Sequence, residues 1–138
     1  MKEARARIEG VDASWKDLGA VADLIRYKMA KDAVELLEKA AKDEIFVPYR
    51  RHNKKMGHRK HGVKGRYPMK EAKIMLKLLK SAIANARVKG LDESKLKIVH
   101  VAANKKQIFY RIQPKGRPMR HRYVTARAEI ILGETDGA

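Results

Sequence analysis

The chain has 138 residues, with 33 Lys or Arg against 16 Asp or Glu, a formal net charge of +17 and a pI near 10.2. That length suits one domain with a modest core, and the charge draws polyanions, nucleic acid before an anionic membrane surface. There is no cysteine, which excludes disulfide frameworks, Cys-ligated zinc and thiol catalysis.

In chain order, ARARIE (4–9) alternates, with Ala4, Ala6 and Ile8 on one side and Arg5, Arg7 and Glu9 on the other, which predicts a half-buried strand. Ser14 precedes WKDLGAVADLIRYKM with Asp17 three positions on, the pattern of a capping box. Trp15, Leu18, Val21, Ala22 and Ile25 follow at helical spacing. A second short helix is expected over AKDAVELLEKAAK (30–42), with Val34, Leu37 and Ala41 inward. The stretch YRRHNKKMGHRKHGVKGRY (49–67) then holds eight Lys or Arg, three His and no acid, so whatever neutralises it lies outside the chain.

The clearest helix is PMKEAKIMLKLLKSAIANARVKG (68–90). Pro68 suits the first helical position and Gly90 a C-cap. Ala72, Met75, Leu76, Leu79, Ala82, Ile83 and Ala86 form one apolar stripe, with Lys70, Lys73, Lys77 and Lys80 largely off it. The Ala content of the stripe favours packing into a core over lying on a membrane surface. The last third reads as two strands, LKIVHVAANKKQIFYRIQ and RHRYVTARAEIIL, joined at Pro114-Lys115-Gly116. Val124, Ala126, Ala128, Ile130 and Leu132 alternate near its base. Toward the turn, charged residues occupy both faces. Strands of this length reach on the order of 50 Å, beyond the core of a small domain. Either the tip is disordered when free, or another molecule surrounds it.

The charge falls in blocks. Residues 45–70 carry nine basic residues and residues 94–128 ten, with no acid in either window, so these supply +19 while the rest of the chain sums to −2. Two basic arms on a nearly neutral domain point to RNA phosphates, which Lys and Arg neutralise with release of counterions. In the first arm Arg50, Arg51, Arg59 and Arg66 are fitted to bidentate phosphate contacts, and Lys54, Lys55, Lys60 and Lys64 to mobile ones. In the second, Lys105, Lys106, Arg111, Lys115, Arg117, Arg120, Arg122 and Arg127 have the same chemistry. Tyr49, Tyr67, Phe109, Tyr110 and Tyr123 are candidates for stacking on unpaired bases; for Tyr67 and Phe109, packing against the core is an equal alternative. Gly57, Gly62 and Gly65 either bring backbone close to RNA or loosen the loop.

His52, His58 and His61 match no familiar zinc spacing and lie among cations, so these, with His121, are taken as hydrogen-bond donors to RNA. The acid-free windows hold no carboxylate for a nuclease metal, and no nucleotide-binding glycine loop is present. Neither a metal, a cofactor nor an enzymatic activity is expected. The segment MKEARARIEGVD has no apolar signal-peptide core, and no run approaches the ~18 apolar residues of a membrane span. The expectation is a soluble cytoplasmic protein without a membrane partner.

VPYRRHNKKMGHRKHG, GRYPMKEA, NARVKGLD, LKIVHVAA, the Pro114…Gly116-Arg117 turn, Thr125 and AEIIL, in that order and spacing, resemble the large-subunit ribosomal protein L twenty-two family. The resemblance runs from about Ala4 to Glu134, and residues 46–68 look like its archaeal and eukaryotic branch. It implies an α+β fold: three helices packed on a small three-stranded antiparallel sheet, with a long basic β-hairpin extension. It also implies a structural role on large-subunit ribosomal RNA beside neighbouring ribosomal proteins, with no homo-oligomer. The hairpin tip (Pro114, Lys115, Gly116, Arg117, Pro118) would then line the exit tunnel and meet the nascent polypeptide. Two departures stand out: QPKGRP is shorter than the usual tip, and Arg127 replaces a common His. The expected organisation is a single domain over 1–138, a basic loop at 47–67, and a hairpin over about 97–132 with its tip near 112–121. The alternative is a free-standing basic DNA- or RNA-binding regulatory or architectural protein, which would usually offer a recognition helix with base-reading side chains or a dimer with spaced half-sites, a minor-groove ribbon binder being the other form.

Overall fold

A computed structural model describes residues 2–58, 60 and 63–135. Strand β1 (Glu3–Val11) buries Ala4 and Ala6 and leaves Arg5 and Arg7 exposed, as alternation demands. Near its end, Gly10 takes φ +70° where the pairing with the last strand slips by a residue between Ile8 and Val11, a bulge position that favours glycine. Helix α1 (Trp15–Ile25) starts at Ser14, whose Oγ accepts from the Asp17 amide at 3.4 Å. It stops at Ile25, four residues short of the helical pattern in the sequence. The reason is long-range: the Lys28 carbonyl accepts from the Ile98 amide at 3.0 Å and Met29 bridges Lys97, so this backbone is drawn onto a strand.

Helix α2 (Ala30–Ala41) turns Ala30, Ala33, Leu37 and Ala40 inward, while Val34 and Ala41 are only half-buried. The inward face is therefore rotated from the one centred on Val34 and Ala41. Two short strands follow, β2 (Val47–Pro48) and β3 (Gly65–Arg66). Helix α3 (Met69–Val88) takes Pro68 as its N-cap rather than its first residue. Its buried face is Ala72, Met75, Leu78, Leu79, Ala82 and Ala86, with Leu76 and Ile83 at the margin. It ends in a Schellman motif: Gly90, at φ +76°, donates to the Arg87 carbonyl and Leu91 to the Ala86 carbonyl, each at 3.0 Å.

After a 3-10 turn at Glu93–Lys95 come β4 (Leu96–Ile112) and β5 (Arg120–Glu134), joined by a tight turn at Pro114–Gly116 in which Lys115 and Gly116 take φ +65° and +63°. The sheet is antiparallel in the order β1-β5-β4. Its register aligns Ala4 with Leu132 and Ile98, and Ala6 with Ile130 and Val101. These rows meet Leu18, Val21, Ile25, Leu37, Met75 and Leu79 of the helices in one buried core. Three helices on one face of a three-stranded antiparallel sheet is the α+β architecture expected.

The two sheet edges are treated differently. On β1, Asn85 Nδ2 and Lys89 Nζ from α3 donate to the carbonyls of Arg5 (2.7 Å) and Glu3 (2.8 Å). On β4, beyond the Lys28 and Met29 contacts, no backbone partner occupies the outer edge among the described residues. From Asn104 to the turn, every residue of β4 is exposed or at most half-buried, so the outer half of that strand has left the core.

Candidate nucleic-acid interface

The first basic arm is closed at its root. Val47 pairs with Arg66 and Pro48 with Gly65, and the Tyr49 amide donates to the Lys64 carbonyl at 2.9 Å. Gly65 is required here: a Cβ at this position would lie 2.2 Å from the Val47 carbonyl oxygen and 2.6 Å from Cζ of Phe46. This glycine serves close packing of the protein on itself rather than approach to RNA. A Cβ at Gly57, by contrast, would meet nothing within 4 Å among the described residues.

Above the clamp the arm folds back on α1. Val47 and Tyr49 are buried with Ala20 in a second small core, against which Leu24 and Met56 pack. The Tyr49 hydroxyl donates to Asp17 Oδ1 at 2.7 Å and its carbonyl accepts from Asn53 Nδ2 at 3.1 Å. Burial first, and then the Asp17 carboxylate, push that hydroxyl well above the usual tyrosine range. With 2% of its surface exposed, Tyr49 anchors the arm and offers no face to a base, which corrects its assignment as a stacking residue. Basic residues surround it in sequence, whereas its partner lies 32 residues away. Tyr67 meets Phe46 edge-on at 5.7 Å and is 40% exposed. His52 is exposed, at φ +52°, with its ring 4.9 Å from that of Trp15 in a T-shaped contact. Lys55 takes φ +61°, so the arm turns tightly at both.

Arg50, Arg51, Lys54, Lys55, His58, Lys60, Lys64 and Arg66 are all exposed, and none forms an ion pair among the described residues. Arg59, His61 and Gly62 lie outside the described residues.

The second arm is tethered at its root by acids of the domain. An extra residue at Lys106 interrupts the β4–β5 register. Lys106 Nζ lies 2.9 Å from Glu9 Oε2, and Lys105 Nζ sits 5.1 Å from the centre of the Trp15 ring. Lys106, and after it Arg7, hold the Glu9 carboxyl below the usual carboxylate range. The Tyr123 hydroxyl donates to Asp12 Oδ1 at 2.7 Å, which raises it above the usual tyrosine range. Phe109 stacks across the ribbon on Tyr123, centroids 6.1 Å apart, each ring 48% exposed. Lys105 and Lys106 are thus partly committed within the protein. Farther out, Arg120 lies over the Tyr110 ring at 5.4 Å. Arg111, Lys115, Arg117, His121 and Arg122 are exposed and free of ion pairs among the described residues, while Arg127 is half-buried near Glu9. The tip residues Pro114, Lys115, Gly116, Arg117 and Pro118 are all exposed.

Two arms, each rooted by acids of the domain and carrying outer cations that form no ion pair among the described residues, form a surface fitted to a polyanion. Comparison with known proteins identifies the lineage. The sequence model of the family described as Ribosomal protein L22p/L17e matches residues 6–133. The chain belongs to this family. A Sulfurisphaera tokodaii protein named large ribosomal subunit protein uL22 is 40% identical over 96% of this chain and 90% of its own length. Proteins of the same name from Ignicoccus hospitalis (39%, over 98% and 90%) and Sulfolobus acidocaldarius (40%, over 96% and 90%) are similarly close. Within this ribosomal family the β2–β3 clamp, the Asp17 anchor and the Asp12 and Glu9 tethers are features of the present chain that its sequence pattern did not announce. Each joins residues far apart in sequence, and β2 and β3 are too short to show a period. A candidate interface residue that sequence reading passed over is Trp15, read there only as a helix-face residue; its proximity to Lys105 and His52 exists only in the fold.

Proposed function

We propose that this protein is a structural component of the large ribosomal subunit that binds and organises ribosomal RNA. The observation that carries the reading is the pairing of a nearly neutral, closed core with two protruding arms most of whose cations, Lys106 excepted, form no ion pair among the described residues. Membership of a ribosomal family supports it, and a scaffolding rather than catalytic role follows. In this reading Arg50, Arg51, Lys54, Lys55, Lys60, Lys64 and Arg66 neutralise phosphates of one RNA element, and Arg111, Lys115, Arg117, Arg120 and Arg122 those of another. The domain between them fixes their separation, so the protein ties RNA elements by charge and shape.

The protein acts within the cytoplasmic ribosome beside other ribosomal proteins, and the exposed hairpin tip lines the nascent-chain tunnel. Among the described residues no helix is long and apolar enough to cross a membrane. The rival reading of a free-standing regulator has less support, because the acid-free basic stretches lie mainly in a loop and a hairpin rather than on a helix. The test is charge reversal: Arg51→Glu with Lys55→Glu lowers occupancy in purified large subunits while the isolated domain keeps its melting temperature. Unchanged occupancy overturns the role given to the first arm.

A further inference from the structure

Between α1, the first arm and the outer edge of β4 lies a cleft of about 270 Å³. We infer that this cleft receives one unstacked nucleotide of the bound RNA, an inference that rests on the RNA-binding reading above and deepens it.

Three observations converge. First, five consecutive residues of β4, His100 to Asn104, border the cleft. Side chains of a strand alternate between faces, so consecutive residues border one space when the strand turns its edge to it. β4 is an outer strand, and its last backbone partners on that side are Lys28 and Met29. The edge of β1 is covered by Asn85 and Lys89, whereas that of β4 beyond Met29 presents donors and acceptors without a partner among the described residues, the groups that hydrogen-bond the rim of a base.

Second, the opposing wall on α1 includes Gly19, Ala20 and Ala22. A Cβ at Gly19 would meet nothing within 4 Å. Glycine inside a helix costs about 1 kcal/mol relative to alanine, and the protein's own packing does not require it here. Its effect is to leave space open between helix and strand. Third, the rim is cationic and aromatic. Arg50 and Arg51 border it without ion-pair partners among the described residues, and Trp15 and His52 line it with their rings in contact. Asp23, which also borders it, is already paired with Arg26 at 3.1 Å, so it subtracts little from the field at the arginines. A cleft with hydrogen-bonding groups on one wall and guanidiniums at its mouth accepts a base inside and its phosphate outside. A paired base cannot enter, so the cleft selects looped-out or single-stranded RNA.

The only tryptophan of the chain lines the cleft and reports on it directly. The full-length protein is titrated, by Trp15 fluorescence, with a short single-stranded RNA of mixed sequence, with the matching duplex, and with adenosine monophosphate. Gly19→Leu fills the space while keeping every charge and improving helix propensity. It is expected to weaken the single strand roughly 5- to 150-fold, the range for loss of one stacked base, and to leave duplex binding unchanged. Independently, the wild-type complex should show nuclear Overhauser contacts between base protons and the Ala102 or Ala103 methyls. Equal single-strand affinity for wild type and Gly19→Leu, or absence of those contacts, overturns the cleft assignment while leaving phosphate binding by the arms intact. A mononucleotide that matches the single strand makes the cleft a small-molecule site and also overturns it. Failure of the wild type to bind either RNA refutes the RNA-binding reading itself.

Discussion

Gly65→Ala should open the root of the first basic arm. The added Cβ meets the Val47 carbonyl oxygen at 2.2 Å and Cζ of Phe46 at 2.6 Å. The ring can swing aside, but the carbonyl belongs to the paired strand, so β2 and β3 must part by roughly 1 Å to reach an ordinary contact distance between strands normally ~4.8 Å apart. That movement sacrifices the short ladder and the Tyr49–Lys64 bond, each hydrogen bond worth about 0.5–1.5 kcal/mol net, and adds overpacking of about 1–3 kcal/mol. A local cost of about 2–5 kcal/mol follows, or at least ~30-fold in an opening equilibrium. Because the clamp lies outside the main core, the cost should appear as local opening rather than global unfolding. The assay is amide hydrogen exchange: the Tyr49 amide loses at least that much protection, amides of β5 keep theirs, and RNA affinity falls because the arm must be ordered on binding. Gly57→Ala, which adds a methyl to open space, is the matched control. If the Tyr49 amide exchanges at the same rate in both variants, the packing argument is wrong.

Other consequences follow from the same contacts. Tyr49→Phe removes the bond to Asp17 at 2.7 Å and should lower the melting temperature by about 3–6 °C, for a loss of about 1–2 kcal/mol in a domain of this size; an unchanged melting curve would show that the second small core holds without it. Glu9 has a folded-state pKa below its unfolded one, Lys106 being the largest cause, so its contribution is present above the unfolded value and is lost as pH falls through the folded one. Acid titration by NMR should therefore release the Lys106 side chain in that lower range, and Glu9→Gln should abolish the transition; a transition persisting in the variant assigns it elsewhere. Trimming residues 112–121 removes residues exposed or at most half-buried and should leave the melting temperature of the domain within about 2 °C. A larger fall would show that the tip contributes to folding. The trimmed protein should still enter large subunits, and loss of entry would make the tip a docking element.

Legibility from sequence followed the range of the interaction concerned. Ala4 and Ala6 alternate with arginines because β1 has one buried face, and Met75, Leu79, Ala82 and Ala86 recur at helical spacing because α3 has one buried stripe. The hairpin declared itself through Ala126, Ala128, Ile130 and Leu132, and then through the loss of that pattern toward Pro114. What failed was set by partners remote in the chain. Helical periodicity runs on through Met29, but pairing with Lys97 and Ile98 ends α1 at Ile25. Tyr49 reads as a stacking residue among arginines until Asp17 and Ala20 are brought over it. Gly65 reads as a loop glycine until Val47 lies against it. The acidic residues were legible only as balancing charge; that Glu9 and Asp12 root the hairpin depends on the bulges that place Lys106 and Tyr123 beside them. The cleft was beyond reach for the same reason, since Gly19 and Ala103 become neighbours only after α1 packs on β4.

The most direct test of the central claim is sedimentation of a cell lysate through a density gradient, before and after a high-salt wash, with the protein followed by immunoblot. A structural component held by shape as well as charge should travel with the large subunit and remain there at salt that strips phosphate-only binders. Recovery with free protein or with bulk DNA, or departure at moderate salt, would contradict the account.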